Sequence, residues 1–496
     1  MKYRPQILLA GAALALVLFQ GCAVGPNYQQ PKTAAPAQWS APKSGGETNL
    51  EPSIASWWKS FNDPQLDSLI ERAVKTNHDL RIAEARVREA RALYRIAASQ
   101  LWPTLDAGGS YARQRQSQNQ PIIGSFPMPP KARVPFENNV YQAGFDASWE
   151  IDVFGGNRRA IEAGKAEVAA AEFGRRNVLV TLLGEVARNY VELRGCQRRL
   201  EIATNNLKTQ QEALALTEDR FKKGLTSDLD VQQAATLLAN TRAVIPTLET
   251  GIQDYIHRLG VLLGQPPEAL RAELSAPAPI PSGPPEVPVG LPSELLRRRP
   301  DIQQAERQLA ASTARIGVAT ADLFPKFSLT GIAGYESTSA SDWFAGGSKF
   351  WSLGPTVQWR IFDAGRIRAN IRVQNALQEQ ALATYEETVL MSFEDVENSL
   401  VAYAKEQIRR RSLEDAVTSS RDSLHLANQL YSNGLANFIN VLDAERSLYQ
   451  AEDALVQSDK AVTQNLISLY KALGGGWETL EKPSQLALVR DGRATK

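Results

Sequence analysis

The chain is poor in the residues that build disulfide, metal or catalytic sites. It has two cysteines and three histidines among 496 residues. A disulfide framework needs several paired cysteines, and structural zinc needs closely spaced Cys or His ligands, so we expect neither. We also find no P-loop and no nucleophile elbow. The sequence therefore predicts no enzyme, no metal site and no bound cofactor.

The chain also lacks an excess of charge of either sign and, after residue 22, a long apolar run. The net charge is +1, which gives no reason to expect nucleic acid as a partner. A membrane-spanning helix needs about 20 mostly apolar residues. If this protein crosses a membrane, we therefore expect it to do so as β-strands.

The first residues carry a targeting signal. A basic start is followed by an apolar run over 7–19, which is too short for a membrane helix. Cys22 lies three residues after this run and follows the small residue Gly21, and this arrangement resembles a bacterial lipobox. We predict a signal peptide over 1–21 and a diacylglyceryl group on Cys22, and Ala23 favours the outer membrane. The alternative is an ordinary cleaved signal peptide with an incidental cysteine.

The chain repeats itself. Residues 141–264 align without a gap with 351–474 at a shift of 210, and Trp149 meets Trp359. Upstream the shift is 222, so the first copy contains an insertion, which we place in an exposed Pro-, Gln- and Asn-rich loop within 112–139. The predicted segments are a signal peptide 1–21, an extended segment 22–62, repeat 1 over 63–264, a Pro-rich linker 265–292, repeat 2 over 293–474, and a tail 475–496.

Each repeat contains two segments with strand-like alternation of apolar and polar residues. The predicted strands are 102–113, 140–152, 325–336 and 350–361. Each has about the 9–11 residues that a tilted membrane strand needs. Aromatic residues lie towards the strand ends, as membrane interfaces favour. A soluble, half-buried sheet is the alternative that alternation alone leaves open.

Each repeat also contains an exceptionally long helix. From Gly156 to about Phe221 there is no proline, and 366 to about 431 repeats this length. About 66 residues would extend roughly 100 Å. Both helices end in a Gly-Leu pair in which the glycine can adopt the left-handed conformation. We therefore predict helical hairpins with tips near 222–228 and 432–438, with Ser227 or Asp228 as the N-cap of the next helix.

These features together resemble the outer-membrane factors of tripartite efflux pumps, the TolC-like family, and especially its OprM/NodT-type lipoprotein branch. The resemblance covers essentially 22–476. The stretches that carry it, besides the two tips, are Cys22-Ala23-Val24-Gly25-Pro26-Asn27-Tyr28, Trp57-Trp58 with Phe61-Asn62-Asp63-Pro64-Gln65-Leu66, and Arg299-Pro300-Asp301-Ile302 with Ala305-Glu306.

The resemblance implies a mainly α protein with transmembrane β-strands. In this arrangement a homotrimer forms a 12-stranded β-barrel, four strands per chain, continued by a periplasmic α-helical barrel. The number of strands agrees with a trimer, because the four strands of one chain cannot close a barrel. The eight strands of two chains would fill their interior with side chains, whereas the twelve strands of three chains leave a lumen. The implied function is passive export of small molecules across the outer membrane. The implied partners are a periplasmic adaptor, an inner-membrane transporter of the RND type and outer-membrane lipid.

The resemblance also implies site residues. Those that match the family's periplasmic gate are Tyr431, Ile439, Asp443 and Arg446, with Asp230 as an ion-pair partner from the first hairpin. Tyr431 with Arg446 would tie helices together, and three copies of Asp443 would form a carboxylate ring. Asn440 stands where some members place a second gate acid. The residues assigned to adaptor docking at the tips are Gly224, Leu225, Gly434 and Leu435.

Several alternatives remain at this stage. For Asp443 the alternative role is a solvated helix face, and for Asp230 it is a first-turn acid favoured by the helix dipole. The channel could instead serve metal efflux or type I protein secretion. A periplasmic coiled-coil lipoprotein that does not span the membrane would explain the helices but not the alternating strands.

Overall fold

A computed structural model describes residues 23–40, 47–48, 54–115, 117, 137–284, 287–290 and 292–478. The helices are α1 Pro64–Thr76, α2 His78–Ser99, α3 Gly156–Lys222, α4 Asp228–Leu262, α5 Arg271–Leu274, α6 Pro292–Arg298, α7 Pro300–Ala321, α8 Arg366–Ser432 and α9 Phe438–Ala472. The strands are β1 Glu47–Thr48, β2 Thr104–Arg115, β3 Glu137–Ile151, β4 Val287–Pro288, β5 Lys326–Ser337 and β6 Lys349–Gln358. Short 3₁₀ segments are Trp57–Phe61, Pro267–Leu270, Ala340–Asp342 and Gly346–Ser348.

Four strands form one antiparallel sheet in the order β2-β3-β5-β6. The predicted strand 102–113 is shifted and runs to Arg115, and the predicted 140–152 begins earlier, at Glu137. The loop predicted within 112–139 is therefore shorter, and most of what remains of it lies outside the described residues. The predicted 350–361 ends at Gln358, because its partner strand starts at Lys326, after a proline that cannot donate to the ladder.

The register gives the sheet one apolar and one polar face. Leu105 pairs with Ala147, and Trp351 with Ala333, so their side chains share a face. Much of this apolar face is open, and Trp351 is 80% exposed. On the opposite face, Asp106 pairs directly with Asp146. A face of exposed aromatic and aliphatic side chains fits lipid better than water.

The two long helices, α3 and α8, each have 67 residues, which corresponds to about 100 Å. Each is followed by a helix of 35 residues, α4 or α9. The long uninterrupted helices follow from sequences that contain strong helix formers and no proline until the tip. No helix in the described part of the chain has the length and apolar character to cross a membrane.

The linker predicted over 265–292 is less extended than expected. It contains the 3₁₀ segment at Pro267, the short helix α5, and the residues of β4, which pair in parallel with β1. Leu270 and Leu274 are buried there. These leucines give the segment an apolar side, so it folds back on the core instead of crossing solvent.

Among the described residues, two compact units can be distinguished, and their members fall within the following ranges. One comprises residues 1–31, 88–169 and 307–383, and it contains the four-stranded sheet. The other comprises 32–87, 170–306 and 384–496, and it holds the largest apolar core, in which the Trp57 ring stacks on Tyr470 at 5.5 Å.

The predicted Arg-Pro-Asp motif has a structural role in the second unit. The Arg299 guanidinium donates to Asp301 at 2.7 Å, to Asp395 at 3.0 Å and to the carbonyl of Ala472 at 3.1 Å. An arginine fork that satisfies two carboxylates and a helix-terminal carbonyl joins α7, α8 and α9. The motif is therefore a polar anchor of the helical packing.

Candidate gate at the hairpin tips

The two hairpin tips have nearly identical backbones. In the first, the Leu225 amide donates to the Arg220 carbonyl at 2.9 Å, and in the second the Leu435 amide donates to Leu430 at 2.8 Å. Gly224 and Gly434 both have φ of 71°. This is the Schellman pattern, which requires a left-handed residue just after the helix. The glycines are therefore needed for the turn.

The first tip ends in a capping box. Ser227 is the N-cap of α4, and its side chain accepts from the Asp230 amide, while the Asp230 carboxylate accepts from the Ser227 amide at 3.1 Å. Thr226 and Ser227 hydroxyls also donate to this carboxylate. The Thr226 hydrogen bond lowers the pKa of Asp230, and the bonds from Ser227 add to it against a burial effect of opposite sign.

The prediction that Asp230 forms an ion pair is therefore not supported within one chain. Its carboxylate is already used by the cap, which satisfies free amide groups at the start of the helix. The alternative, a first-turn helix acid, describes the observed contacts. In the second repeat the same positions are Asn437 and Asn440, and the side chain of Asn437 makes no capping hydrogen bond within the described residues.

Tyr431 lies in a small apolar core at the second tip. Its ring is 5.2 Å from that of Phe438, and the Arg220 guanidinium from the first hairpin lies 4.6 Å from its centroid. The cluster is completed by Ala234, Val441 and Leu442. The Tyr431 hydroxyl is buried and has no hydrogen-bond partner in the described chain. A cation over the ring face is attractive and joins the two hairpins.

Within one chain Arg446 does not bond to the Tyr431 hydroxyl, so the predicted tie between these residues stays a prediction for the assembled channel. Arg446 donates to Asp443 at 2.9 Å, one helical turn away on the same helix. Both side chains are more than half exposed. An i,i+3 pair within one helix satisfies Arg446 at less cost than reaching back to a buried hydroxyl. The cation that contacts Tyr431 is Arg220, which the sequence did not single out.

A second residue missed from sequence is Glu445. It is only 4% exposed, and its Oε2 atom has no hydrogen-bond partner among the described residues. Burial raises the pKa of its carboxyl to about 7. The signal was present, since Glu445 lies four residues after Val441 and three after Leu442, on the apolar side of α9.

The remaining predicted residues lie on the surface of the chain. Ile439 and Leu435 are exposed, as is Leu225. Cβ atoms added at Gly224 or Gly434 would meet no described atom within 4 Å. The side chains of Leu225, Leu435 and Ile439 are therefore not covered by their own chain. Cys22 lies outside the described residues.

Comparison with protein-family models identifies the family to which this chain belongs. The model for the outer membrane efflux protein family matches residues 69–265 and 291–475. These two segments fall on the two repeats and together cover most of the chain. The chain belongs to the outer membrane efflux protein family.

Individual relatives agree. The solvent efflux pump outer membrane protein SrpC of Pseudomonas putida is 34% identical over 93% of this chain and 97% of its own. The pyoverdine export outer membrane protein OpmQ of Pseudomonas aeruginosa is 35% identical over 94% and 96%. The solved structure of the outer-membrane channel OprN has a TM-score of 0.85 and 39% identity, covering 92% of this chain and all of that one.

Family membership confirms the predicted fold class, function and location. This member of the family is the outer-membrane channel component of an efflux pump, and its long helices extend into the periplasm. Relatives and structural neighbours are channels and not enzymes. The two hairpin tips, which end these helices, therefore belong to the periplasmic part of a channel.

Proposed function

We propose that three copies of this chain form one continuous conduit that exports small organic molecules, and that its periplasmic end is closed by the second hairpin. An inner-membrane transporter of the RND type would supply the energy, and a periplasmic adaptor would join the two. The named cargoes of relatives, solvent for SrpC and pyoverdine for OpmQ, support small molecules as the class.

The observation that carries the trimer is the pair of open sheet edges. Strands β2 and β6 each pair with a single strand in the part of the chain that the structure describes. An unpaired edge leaves amide and carbonyl groups without partners, which is very costly in lipid. Pairing β2 of one copy with β6 of the next satisfies both edges, and three copies give twelve strands around a lumen.

Disulfide crosslinking between strand edges tests the trimer. In a Cys196→Ser background, single cysteines along β2 would be combined with single cysteines along β6. Oxidation should produce dimer and trimer bands for some combinations. The control is Ser148→Cys with Thr330→Cys, because these residues are directly opposite each other within one chain. They should form an intramolecular disulfide and give no dimer or trimer bands. Monomer bands alone for every β2–β6 combination would contradict the proposal.

The proposed gate rests on the exposed residues of the second tip. Asp443 and Ile439 are not covered by their own chain, so in a three-fold assembly they would face other copies or the lumen. Three carboxylates at a narrow point favour cations. Asp443→Asn should reduce the cation selectivity of the channel in planar bilayers, whereas Asp228→Asn at the first tip should not. Equal reversal potentials for all three proteins would remove Asp443 from the gate.

The proposed adaptor site rests on the two Gly-Leu turns. Leu435 is 74% exposed and Leu225 is 63% exposed, although both are large apolar side chains. Exposed leucines at a turn are suited to a helical partner. Leu225→Asp with Leu435→Asp should abolish copurification of the adaptor while the trimer stays intact. Unchanged copurification would place the docking surface elsewhere.

Lipidation at Cys22 completes the proposal. Labelling with radioactive palmitate should give a labelled band that Cys22→Ser removes. Labelling that survives this change would exclude Cys22 as the acceptor.

A further inference from the structure

The segment that follows Cys22 is held by a buried arginine. Arg159, in the first turn of α3, is only 4% exposed. Its guanidinium donates to the carbonyls of Val24 at 3.1 Å and Gly25 at 3.2 Å, and to the Asn27 side chain at 2.7 Å. Its remaining nitrogen donates to Glu162 at 2.7 Å. One planar fork thus satisfies three oxygens of the N-terminal segment.

The backbone around this arginine leaves no room for side chains. A Cβ on Gly155 would lie 2.6 Å from the Ala23 Cα, and a Cβ on Gly25 would lie 2.5 Å from the Gly317 Cα. Gly155 and Gly25 also have positive φ, of 78° and 89°. In addition, the Val24 amide donates to the Phe154 carbonyl at 3.1 Å. Three glycines therefore let the segment lie directly on the corner between β3 and α3.

The internal repeat supplies a natural comparison for this corner. At the shift of 210, Gly365 corresponds to Gly155, but Ala369 corresponds to Arg159. A Cβ on Gly365 would meet no described atom within 4 Å. At the shift of 222, Gly317 corresponds to Arg95. Only one of the two equivalent corners has the arginine and the second glycine, and it is the corner that holds the N-terminal segment.

We propose that Arg159, Gly155 and Gly317 form a binding site for residues 23–27, and that this site fixes the lipid-bearing end of the chain at the corner between β3 and α3. The lipid part of this inference rests on the proposed acylation of Cys22, which directly precedes Ala23 in the sequence. Because no linker separates the acylated residue from the bound segment, the acyl chains enter the membrane at a defined place beside the sheet.

The aromatic residues at this corner suit that position. The Phe154 ring stacks on Phe324 at 4.6 Å, and Phe327 lies 6.5 Å from Phe154. Aromatic side chains concentrate at the boundary between hydrocarbon and water. An acyl chain attached there adds apolar burial at the level where the sheet meets the helices. The bound segment thereby links the lipid anchor to the folded channel.

A nitroxide label reports on the bound segment directly. In the Cys196→Ser background, Gln29→Cys places a label on an exposed residue just beyond the site. With Arg159→Gln, the label should change from a slow to a fast spectrum in the full-length, membrane-inserted protein. Proteinase cleavage within the segment should accelerate by about tenfold or more, as expected for a locally released segment. Arg315→Gln is the control, because Arg315 is an arginine of α7 whose guanidinium donates to Glu167 at 2.7 Å.

Two further variants keep the test decisive if Arg159→Gln fails to fold. Asn27→Ala removes one acceptor and should mobilise the label partially, and Arg159→Lys should lie between parent and Arg159→Gln. An unchanged spectrum and cleavage rate in all of them would overturn the site. Palmitate labelling is measured in parallel. Absence of palmitate in the parent with a mobilised label in Arg159→Gln would refute lipidation and leave the binding site in place.

Discussion

The two hairpin tips have the same backbone but differ in how firmly it is held. The first is fixed by the Ser227–Asp230 capping box, whereas the second starts α9 with Asn437, whose side chain makes no capping bond within the described chain. At the register of the half-buried Ala235, the second hairpin has the buried Glu445. The second tip therefore has fewer stabilising side-chain contacts at the start of its second helix, as the proposed gate role of this hairpin requires.

This difference between the tips also affects the local stability of the two hairpins. A buried carboxyl such as Glu445, whose Oε2 atom has no hydrogen-bond partner among the described residues, destabilises the folded state when it is ionised. A missing cap leaves amide groups of the first turn unsatisfied by side chains. Both features make local opening of the second hairpin easier than opening of the first. The two copies of the repeat therefore differ in the side chains that hold their tips.

The largest effect is expected at Glu445. Burial raises its pKa from 4.5 to about 7. Because the folded state holds the proton more tightly, this group contributes stability below about pH 4.5, and the contribution is lost as pH rises through about 7. At pH 8 this loss amounts to about 3 kcal/mol, since one pKa unit corresponds to about 1.4 kcal/mol. Glu445→Gln should raise the melting temperature at pH 8 and flatten its dependence between pH 4.5 and 8.

Asp443→Asn is the matched control for this experiment, because Asp443 is an exposed acid on the same helix. It should leave the pH dependence of melting unchanged. If Glu445→Gln melts like the parent at every pH, the second tip is not weakened by this carboxyl. Ala235→Glu is the reciprocal variant, because it places a carboxyl at the same register of the first hairpin. It should lower the melting temperature at pH 8.

A smaller effect is expected from the caps. Ser227→Ala removes the capping bond of the first tip and should cost about 1 kcal/mol. Asn437→Ala, at the same register in the second tip, should cost much less, because its side chain makes no such bond in the described structure. Hydrogen exchange of the first-turn amides of α4 and α9 measures both. If Ser227→Ala and Asn437→Ala accelerated the exchange of these amides equally, the two tips would not differ in how their second helices are capped.

The smallest effect is expected from Arg220. Its guanidinium over the Tyr431 ring is worth roughly 0.5–1 kcal/mol at a partly exposed site. Arg220→Gln should therefore increase the fraction of time in open conductance levels by a few-fold. Lys222→Gln, on an exposed neighbour of the same helix, is the control. No change for Arg220→Gln would mean that the contact between hairpins does not restrain the gate.

The repeat made most of the fold predictable from sequence. Two fixed shifts located every long helix, all four sheet strands and both tips, because the same apolar pattern and Gly-Leu turn occur twice. Strand ends were less accurate, since the last pairing is set by the partner strand, as at Gln358 opposite Lys326. Alternation within one strand does not contain that information.

The site was less predictable than the fold. The role of Asp230 was recoverable from sequence, because Ser227 three residues earlier forms a capping-box pattern. The contact between Arg220 and Tyr431 was not, since it joins residues from different repeats and depends on how the hairpins pack. Arg159 was also not recoverable, because nothing local marks an arginine that binds a segment more than a hundred residues earlier.

The assignment of the gate to the second hairpin is tested most directly by single-channel conductance of two matched variants. Tyr431 and Phe221 occupy the same register, but Tyr431 is buried in the tip core and Phe221 is 45% exposed. In planar bilayers, Tyr431→Ala should raise the resting conductance several-fold, and Phe221→Ala should leave it close to that of the parent. Equal changes in the two variants, or an effect of Phe221→Ala alone, would contradict the assignment.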